Sequence, residues 1–438
     1  MSNSTRKIKL GLFIQAAGHH VGGWRHPDAQ AGGENLSLLQ HIAQTAERGK
    51  FDLLFIGDGL GTSPNAAPSV VARFEPLTLL GFLSAVTKHI GLAATSSTTY
   101  GEPFHMARAF ASLDHLSGGR AAWNVVTTSS AETALNFSKD SHPDHSSRYE
   151  KAKEFVEVVK GLWDSWEDGA FIHDKESGVF FDKTKLHYLD HKGPNYSVRG
   201  PLNVSRPPQG YPVLIQAGSS NTGQDVGAEI ADIIFTAQQS LKDAQSFYAG
   251  IKSKLAQHGK SPEHFFIMPG LMPIIGKTEQ EARDKFDQLS SWVDLSVGLD
   301  ALSARLGQDV SKFPLDELLP ELPETDGAKS RSHLLTALAR REQLTVRQLA
   351  YRVAGSRGHG VILGTPSQIA DHMEEWFAGN AADGFNIMPP YFPGGLEDFV
   401  ELVVPELQRR GLFRTEYEGR TLRENLGLPR PKSRYARV

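Results

Sequence analysis

Two rhythms of apolar and polar positions take turns along the chain. Residues 7–15 (KIKLGLFIQ) are apolar at Ile8, Leu10, Leu12 and Ile14, a period of two that predicts a strand. Residues 35–50 carry Leu38, Leu39, Ile42 and Ala46 at helical spacing. Residues 51–58 (FDLLFIGD) form an apolar run closed by an acid, as in a strand buried on both faces. The same alternation predicts a helix over 76–88, a strand over 90–97, a helix over 104–116 and a strand over 120–128. A longer helix follows over 148–166. After a polar stretch come a strand over 212–218, a helix over 221–231, a strand over 233–237, a helix over 241–258 and a strand over 265–275. The final unit is a helix over 365–379, opened by Thr365-Pro366, then a strand over 384–389 and a helix over 396–411.

Eight strand–helix units argue for a parallel sheet, and right-handed crossovers make it either a closed barrel or a doubly wound sheet. Period alone does not separate the two. The first strand runs into GLFIQAAGHHVGG without a G-x-G-x-x-G, which weakens a dinucleotide-binding sheet. Residues 167–210, polar with scattered Pro and Gly, are expected as an insertion after the fourth unit. Residues 278–355 are mostly helical and too long for a barrel connection, so they are expected as a second insertion after the seventh strand, placed to act as a lid. Residues 1–411 then make one domain. The basic, proline-containing tail over 412–438 is expected to wrap a neighbour or stay mobile.

Composition narrows the chemistry. The 438 residues include no cysteine, which removes disulfides, thiolate metal sites and thiol nucleophiles. Such a chain suits a reducing cytoplasm, the expected location. A formal net charge of -4 favours neither nucleic acid nor an anionic membrane. No stretch approaches the ~18 apolar residues of a membrane helix, and the short apolar run at the start, broken by Lys9, is read as a strand rather than a signal peptide.

In a (β/α)8 barrel the reacting groups sit at the C-terminal ends of the strands. The polar residues there are Gln15, His19 and His20; Asp58; Thr95, Ser96, Ser97 and Thr98; Asn124, Thr127, Thr128 and Ser129; Ser219, Ser220 and Asn221; and Asn386 with Tyr391. Gly218-Ser219-Ser220-Asn221 leaves a strand and enters a helix. Free amides and hydroxyls at a helix N-terminus suit a phosphate; equally, Ser and Asn there serve as an ordinary helix cap. Asp58 ends an apolar strand, as a site acid or a loop cap. His19, His20, His26, His142 and His145 lack the H-E-x-x-H spacing of a zinc site. His359, in GSRGHGVILGT, is either an acid/base at the barrel mouth or a solvated loop residue. Arg25, between Trp24 and His26, either clamps a substrate carboxylate or stacks on Trp24. With His20 and His26 it hints at an anionic substrate group.

Several of these stretches also occur together, in order, in a known family. They are GHHVGGWRHPDA, FDLLFIGDG, EPLTLLGFLSAVTKHIGLAATSSTTYGEPFHMAR, FASLDHLSGGRAAWNVVT, the opening Arg148-Tyr149-Glu150, PVLIQAGSSNTGQDVGAEIAD, VILGTPSQIADHMEEW, ADGFNIMPPYFP and VPELQRRGLFRTEYEGRTLRENLGL. Nearly the whole chain resembles the nitrilotriacetate monooxygenase component A group of bacterial-luciferase-like flavin monooxygenases. The resemblance implies a luciferase-like (β/α)8 TIM barrel and FMN, taken up as FMNH2. Ser219, Ser220 and Tyr149 match phosphate-binding positions. Asp58, Thr95 and Asn124 match positions near the isoalloxazine, with His145 beside the cofactor. His359 matches a region where some members place a catalytic or substrate-facing histidine. Some members carry a cysteine in the loop after the first strand; this chain has none, so a mechanism needing that thiol does not transfer.

The resemblance further implies a two-component system. A separate NAD(P)H-dependent flavin reductase supplies FMNH2, and this chain oxygenates a small molecule through a C4a-peroxyflavin, with cleavage of a C–N or C–S bond. A homodimer or homotetramer is expected. The competing readings are a deazaflavin-dependent dehydrogenase on the same barrel, a metal-dependent barrel hydrolase and a non-catalytic flavin-binding protein.

Overall fold

The computed structural model describes residues 6–436 apart from 16, 31, 65, 219 and 323–328. Eight parallel strands close a barrel: β1 (Lys9–Ile14), β2 (Leu53–Ile56), β3 (Gly91–Ser97), β4 (Ala121–Val126), β5 (Val213–Gln216), β6 (Ile233–Thr236), β7 (Phe266–Ile275) and β8 (Gly384–Ile387). The ring shuts where Lys9 pairs with Gly384 and Leu12 with Ile387. Alternation along each strand sorts side chains into two cores. Leu10, Leu12, Leu54 and Ile56 pack outward beneath the helices, while Phe13, Leu53, Phe55 and Phe235 turn into the barrel. Phe13, Phe55 and Phe235 meet with ring centroids 5.0–5.6 Å apart, two of the three pairs edge to face.

The connecting helices are α1 (Leu36–Arg48), α2 (Pro76–Val86), α3 (Pro103–Leu116), α4 (His145–Trp163), α5 (Asn221–Ile230) and α6 (Leu241–Lys254). Helix α4 starts three residues earlier than its apolar period suggests, because Asp144 accepts the Ser147 amide and caps it. Residues 167–210 form an irregular excursion with a two-residue antiparallel pair, 191–192 against 197–198. The second insertion is helical: α7 (Glu279–Ser291), α8 (Leu295–Leu306), α9 (Lys329–Glu342) and α10 (Val346–Ser356). Leu302, Leu306, Leu338, Val346, Leu349 and Val353 give it a core of its own. It returns through a strand that periodicity does not reveal, Gly360–Gly364, paired to the far half of β7. Helix α11 (Pro366–Ala378) then leads into β8. The expected final helix is broken into 394–398, a π turn over 399–403 and 404–409; Pro405, which lacks an amide proton, sits at its restart.

The tail lies along its own barrel. The Leu412 carbonyl accepts from the Ile8 amide at 2.9 Å and the Tyr417 hydroxyl donates to the Phe51 carbonyl at 2.7 Å. Arg414 pairs with fully buried Asp52, whose carboxylate also accepts the Leu10 amide. A short last helix, Leu422–Leu426, seats Leu422 and Leu426 in the interior core with Leu53 and Phe266, closing the N-terminal mouth. No helix among the described residues is long and apolar enough to cross a membrane.

The Arg414→Ala variant should lose about 3–5 kcal/mol of stability, because it leaves the Asp52 charge buried without its cation. A urea midpoint within error of the parent chain would show that the tail contributes little.

Candidate active site

The C-terminal ends of β2 to β6 open into a cavity of about 920 Å³. Each strand delivers something different. Beyond β2, Asp58 accepts from Arg73 Nε at 3.2 Å. Burial pushes its carboxyl above the ordinary carboxylate range, and Arg73 pulls it part of the way back. β3 brings Thr95, Ser96 and Ser97 to the wall. Thr95 Oγ1 accepts from Asn124 Nδ2 at 2.9 Å, and Asn124 Oδ1 is buried with no hydrogen-bond partner among the described residues.

At the end of β4 the backbone turns sharply, with Thr128 at φ 40°. This left-handed conformation is costly for a β-branched residue. It is held by a 2.7 Å hydroxyl contact to Ser97 and by Arg148, whose guanidinium donates to the Thr127 and Thr128 carbonyls. Arg148 comes from the first turn of α4. The same turn places His145 and Tyr149 on the cavity wall, one helical turn apart with ring centroids at 4.9 Å. Above β3, the Tyr100 hydroxyl meets His142 Nδ1 at 2.6 Å, and its ring stacks on Phe137.

β5 ends in a tight turn. Gln216 Oε1 accepts the Gly218 amide at 2.7 Å, and Ser220 caps α5 by accepting the Gly223 amide at 3.1 Å. A Cβ on Gly218 would lie 2.9 Å from the Gly223 Cα and 2.4 Å from Gln216 Nε2, so only glycine lets the strand exit this close to the helix. Phe235, from the aromatic trio, and Thr236 line the β6 side.

Of the residues chosen from the sequence, the structure gathers Asp58, Thr95, Ser96, Ser97, Thr127, Thr128, Ser129, His145, Tyr149 and Ser220 around one space. Asn124 lies just behind Thr95. Ser219 falls outside the described residues. His359 is not a solvated loop residue; it is 3 % exposed and stacks on Phe235, with ring centroids at 5.1 Å and planes 9° apart. His20 and Arg25 are not brought to the cavity wall. His20 is buried, its Nδ1 accepting the Gly22 amide and its ring edge-on to Phe286. Arg25 is exposed; it donates to the Trp292 carbonyl at 3.2 Å and lies over the Trp292 ring, so its aromatic partner is Trp292 of the second insertion rather than Trp24. Sequence reasoning passed over Arg73, Tyr100, Arg148 and Gln216. Of these only Arg148 had a signal, its place beside Tyr149 in the R-Y-E opening. Among the described residues no three His, Asp or Glu side chains gather to hold a metal ion.

A closed parallel barrel with a polar-lined chamber across the C-terminal ends of five strands is the working end of an α/β-barrel enzyme. The chain belongs to the luciferase-like monooxygenase family, which matches residues 12–383; its members are flavin-dependent monooxygenases. It is 55% identical over 441 residues to N-acetyl-S-(2-succino)cysteine monooxygenase of Bacillus subtilis, covering 100% of both chains. It is 48% identical over 449 residues to nitrilotriacetate monooxygenase component A of Aminobacter aminovorans, covering 99% of each. A riboflavin lyase solved with modified FMN and the substrate riboflavin superposes with a TM-score of 0.88 at 32% identity, covering 98% of each chain.

Two buried histidines beneath this face give the fold an acid sensitivity. Burial, then the nearby Arg357, push His19 down to about 3, against the bond that its Nε2 makes to the Phe13 carbonyl. Burial pushes His20 down to about 4. The unfolded chain protonates near pH 6.5, so below that it binds protons the folded chain refuses, and stability falls as pH drops from about 6.5 towards 3. Chemical denaturation at pH 7 and pH 5 should show His19→Gln losing less stability than the parent over that interval; equal losses would contradict the assignment.

Proposed function

We propose that this chain is the oxygenase of a two-component system: it takes up FMNH2 made by a separate NAD(P)H-dependent flavin reductase and uses O2 to oxygenate a small organic substrate. The observation that carries the reading is that Gly218 and Ser220, at the start of α5, share one chamber with His145 and Tyr149 from the start of α4. Two helix N-termini present amides and a positive dipole end to the same space, which suits a phosphate dianion. Ser220 Oγ already accepts from the Gly223 amide, so its own proton is available to donate. The closeness of Gly218 to Gly223 keeps that corner clear of side chains. Asn124, buried with an unused carbonyl oxygen behind Thr95, is a ready acceptor for a ring N–H.

Reduced flavin, when bound, supplies the electrons that activate oxygen. The protein's own part is to hold, orient and dry the site. In this reading Ser220, Ser219 and Tyr149 grip the phosphate, while Asp58, Thr95, Asn124 and His145 position the ring. Phe235 provides an apolar floor, and His359, stacked on its far side, is a positioning residue that acts through it. Arg73 opposes the effect of burial on Asp58, favouring its charged form, and fixes the loop above it. In this reading the helical insertion after β7 shelters the mouth.

The names of the relatives support the chemistry. One is called component A, which implies a partner component. The substrates in the two names carry a carbon beside sulfur or nitrogen; oxygenation there gives an adduct that breaks the C–S or C–N bond, the outcome we propose here. A homodimer or homotetramer in the cytoplasm completes the proposal.

Purified protein given chemically reduced FMN, O2 and a panel of thioethers and aminocarboxylates, without NADH, should form product. Product that appears only with NADH bound directly by this chain would refute the two-component reading. Ser220→Ala should weaken FMN binding by about 1–3 kcal/mol, the range for a lost hydrogen bond to a charged group; unchanged affinity in a fluorescence titration would remove the phosphate assignment.

A further inference from the structure

The chain contains six methionines and no cysteine, so its oxidisable sulfur is confined to thioethers. Met1 lies outside the described residues. Met268, Met272 and Met388 sit in the interior core and Met373 in the outer one, each at most 2 % exposed. Met106 differs. It belongs to the first turn of α3, is only partly buried, and lines the chamber.

Neighbours on two sides hold this side chain. Ser96, near the end of β3 and itself on the chamber wall, donates from Oγ to Met106 Sδ at 3.1 Å. A Cβ on Gly101 would lie 3.5 Å from the Met106 methyl carbon, so the loop before α3 closes over that end. A thioether sulfur is a weak acceptor and a soft, polarisable nucleophile. The Ser96 bond engages one of its lone pairs and leaves the other to react. Peroxide is the matching electrophile. The sulfur lone pair attacks one peroxide oxygen and the O–O bond breaks. The departing hydroxide takes the proton left on the transferred oxygen, giving water and a sulfoxide; sulfur is oxidised by two electrons and peroxide is reduced. The product is bulkier and polar where the parent side chain was apolar. Its oxygen accepts hydrogen bonds better than sulfur does, and Ser96 is already placed as the donor.

We propose that Met106 is the peroxide-modification site of this chain, and that its sulfoxide weakens flavin binding in the chamber it lines. The oxidant is hydrogen peroxide, formed when reduced flavin passes two electrons and two protons to O2 with no substrate to oxygenate. That source rests on the oxygenase reading; the reactivity of the sulfur does not. Uncoupled turnover then marks the wall of its own chamber, and the chain loses cofactor as the mark accumulates. The four methionines sealed in the cores are spared.

Peptide mass spectrometry of the full-length protein after exposure to hydrogen peroxide tests the site. Met106 should gain one oxygen atom at least tenfold faster than Met268, Met272, Met373 or Met388. In a fluorescence titration the oxidised protein should bind FMN at least threefold more weakly than before treatment. Met106→Leu should show the same FMN affinity before and after it. Oxidation at Met106 no faster than at the buried four overturns the proposal. So does complete oxidation of Met106 with FMN affinity unchanged, or an equal loss in Met106→Leu. The comparison among methionines uses the parent chain alone and decides even if the leucine variant fails to fold. A second arm supplies reduced FMN and O2 without substrate, with catalase present to destroy peroxide in bulk solution. Met106 should still be oxidised there. Oxidation by added peroxide but not in this arm keeps Met106 as the modification site and counts against the oxygenase reading instead.

Discussion

Closure of the sheet between its first and last strands is the constraint on which the rest of the structure depends. Eight parallel strands can bring their C-terminal ends around one mouth only if the ring shuts, and it shuts through two glycines. A Cβ on Gly384 would stand 2.1 Å from the Lys9 carbonyl oxygen, and one on Gly11 would press on Asn386 Oδ1 at 2.7 Å. With those positions bare, β1 and β8 come into register and the loops after β2 to β6 share one rim. The chamber is therefore a product of topology, and its chemistry comes from the few polar residues at the strand ends.

Much of this was legible in the sequence, for reasons that differ from element to element. Buried parallel strands announce themselves as apolar runs, so FDLLFIGD and PVLIQAG were readable as they stand. Ser220 was readable twice over, and the structure shows that the two readings do not compete: it caps α5 and faces the chamber. The strand over 360–364 was hidden because three residues between glycines carry no period. The start of α4 was misplaced because a cap residue, not hydrophobic spacing, sets a helix end.

What the sequence could not disclose were meetings between distant segments. Arg25 and His26 looked like a binding pair at the barrel mouth. Their surroundings are set by Trp292 and Tyr391, which arrive from the second insertion and the loop after β8. Arg357, just past the same insertion, reaches Ser69 on the loop carrying Arg73, a meeting that no local pattern encodes. Insertions of this kind are where barrel enzymes with one flavin chemistry diverge in what they accept.

The leucines that close the N-terminal mouth come from the last helix of the chain. Leu422 and Leu426 share a core with Leu53, Phe55 and Ile233, which are synthesised long before them. A nascent chain still waiting for that helix has an uncorked barrel, with apolar side chains facing water. Completion of the fold therefore waits for that helix, and translation that stops short of the plug yields a protein with an open, sticky underside.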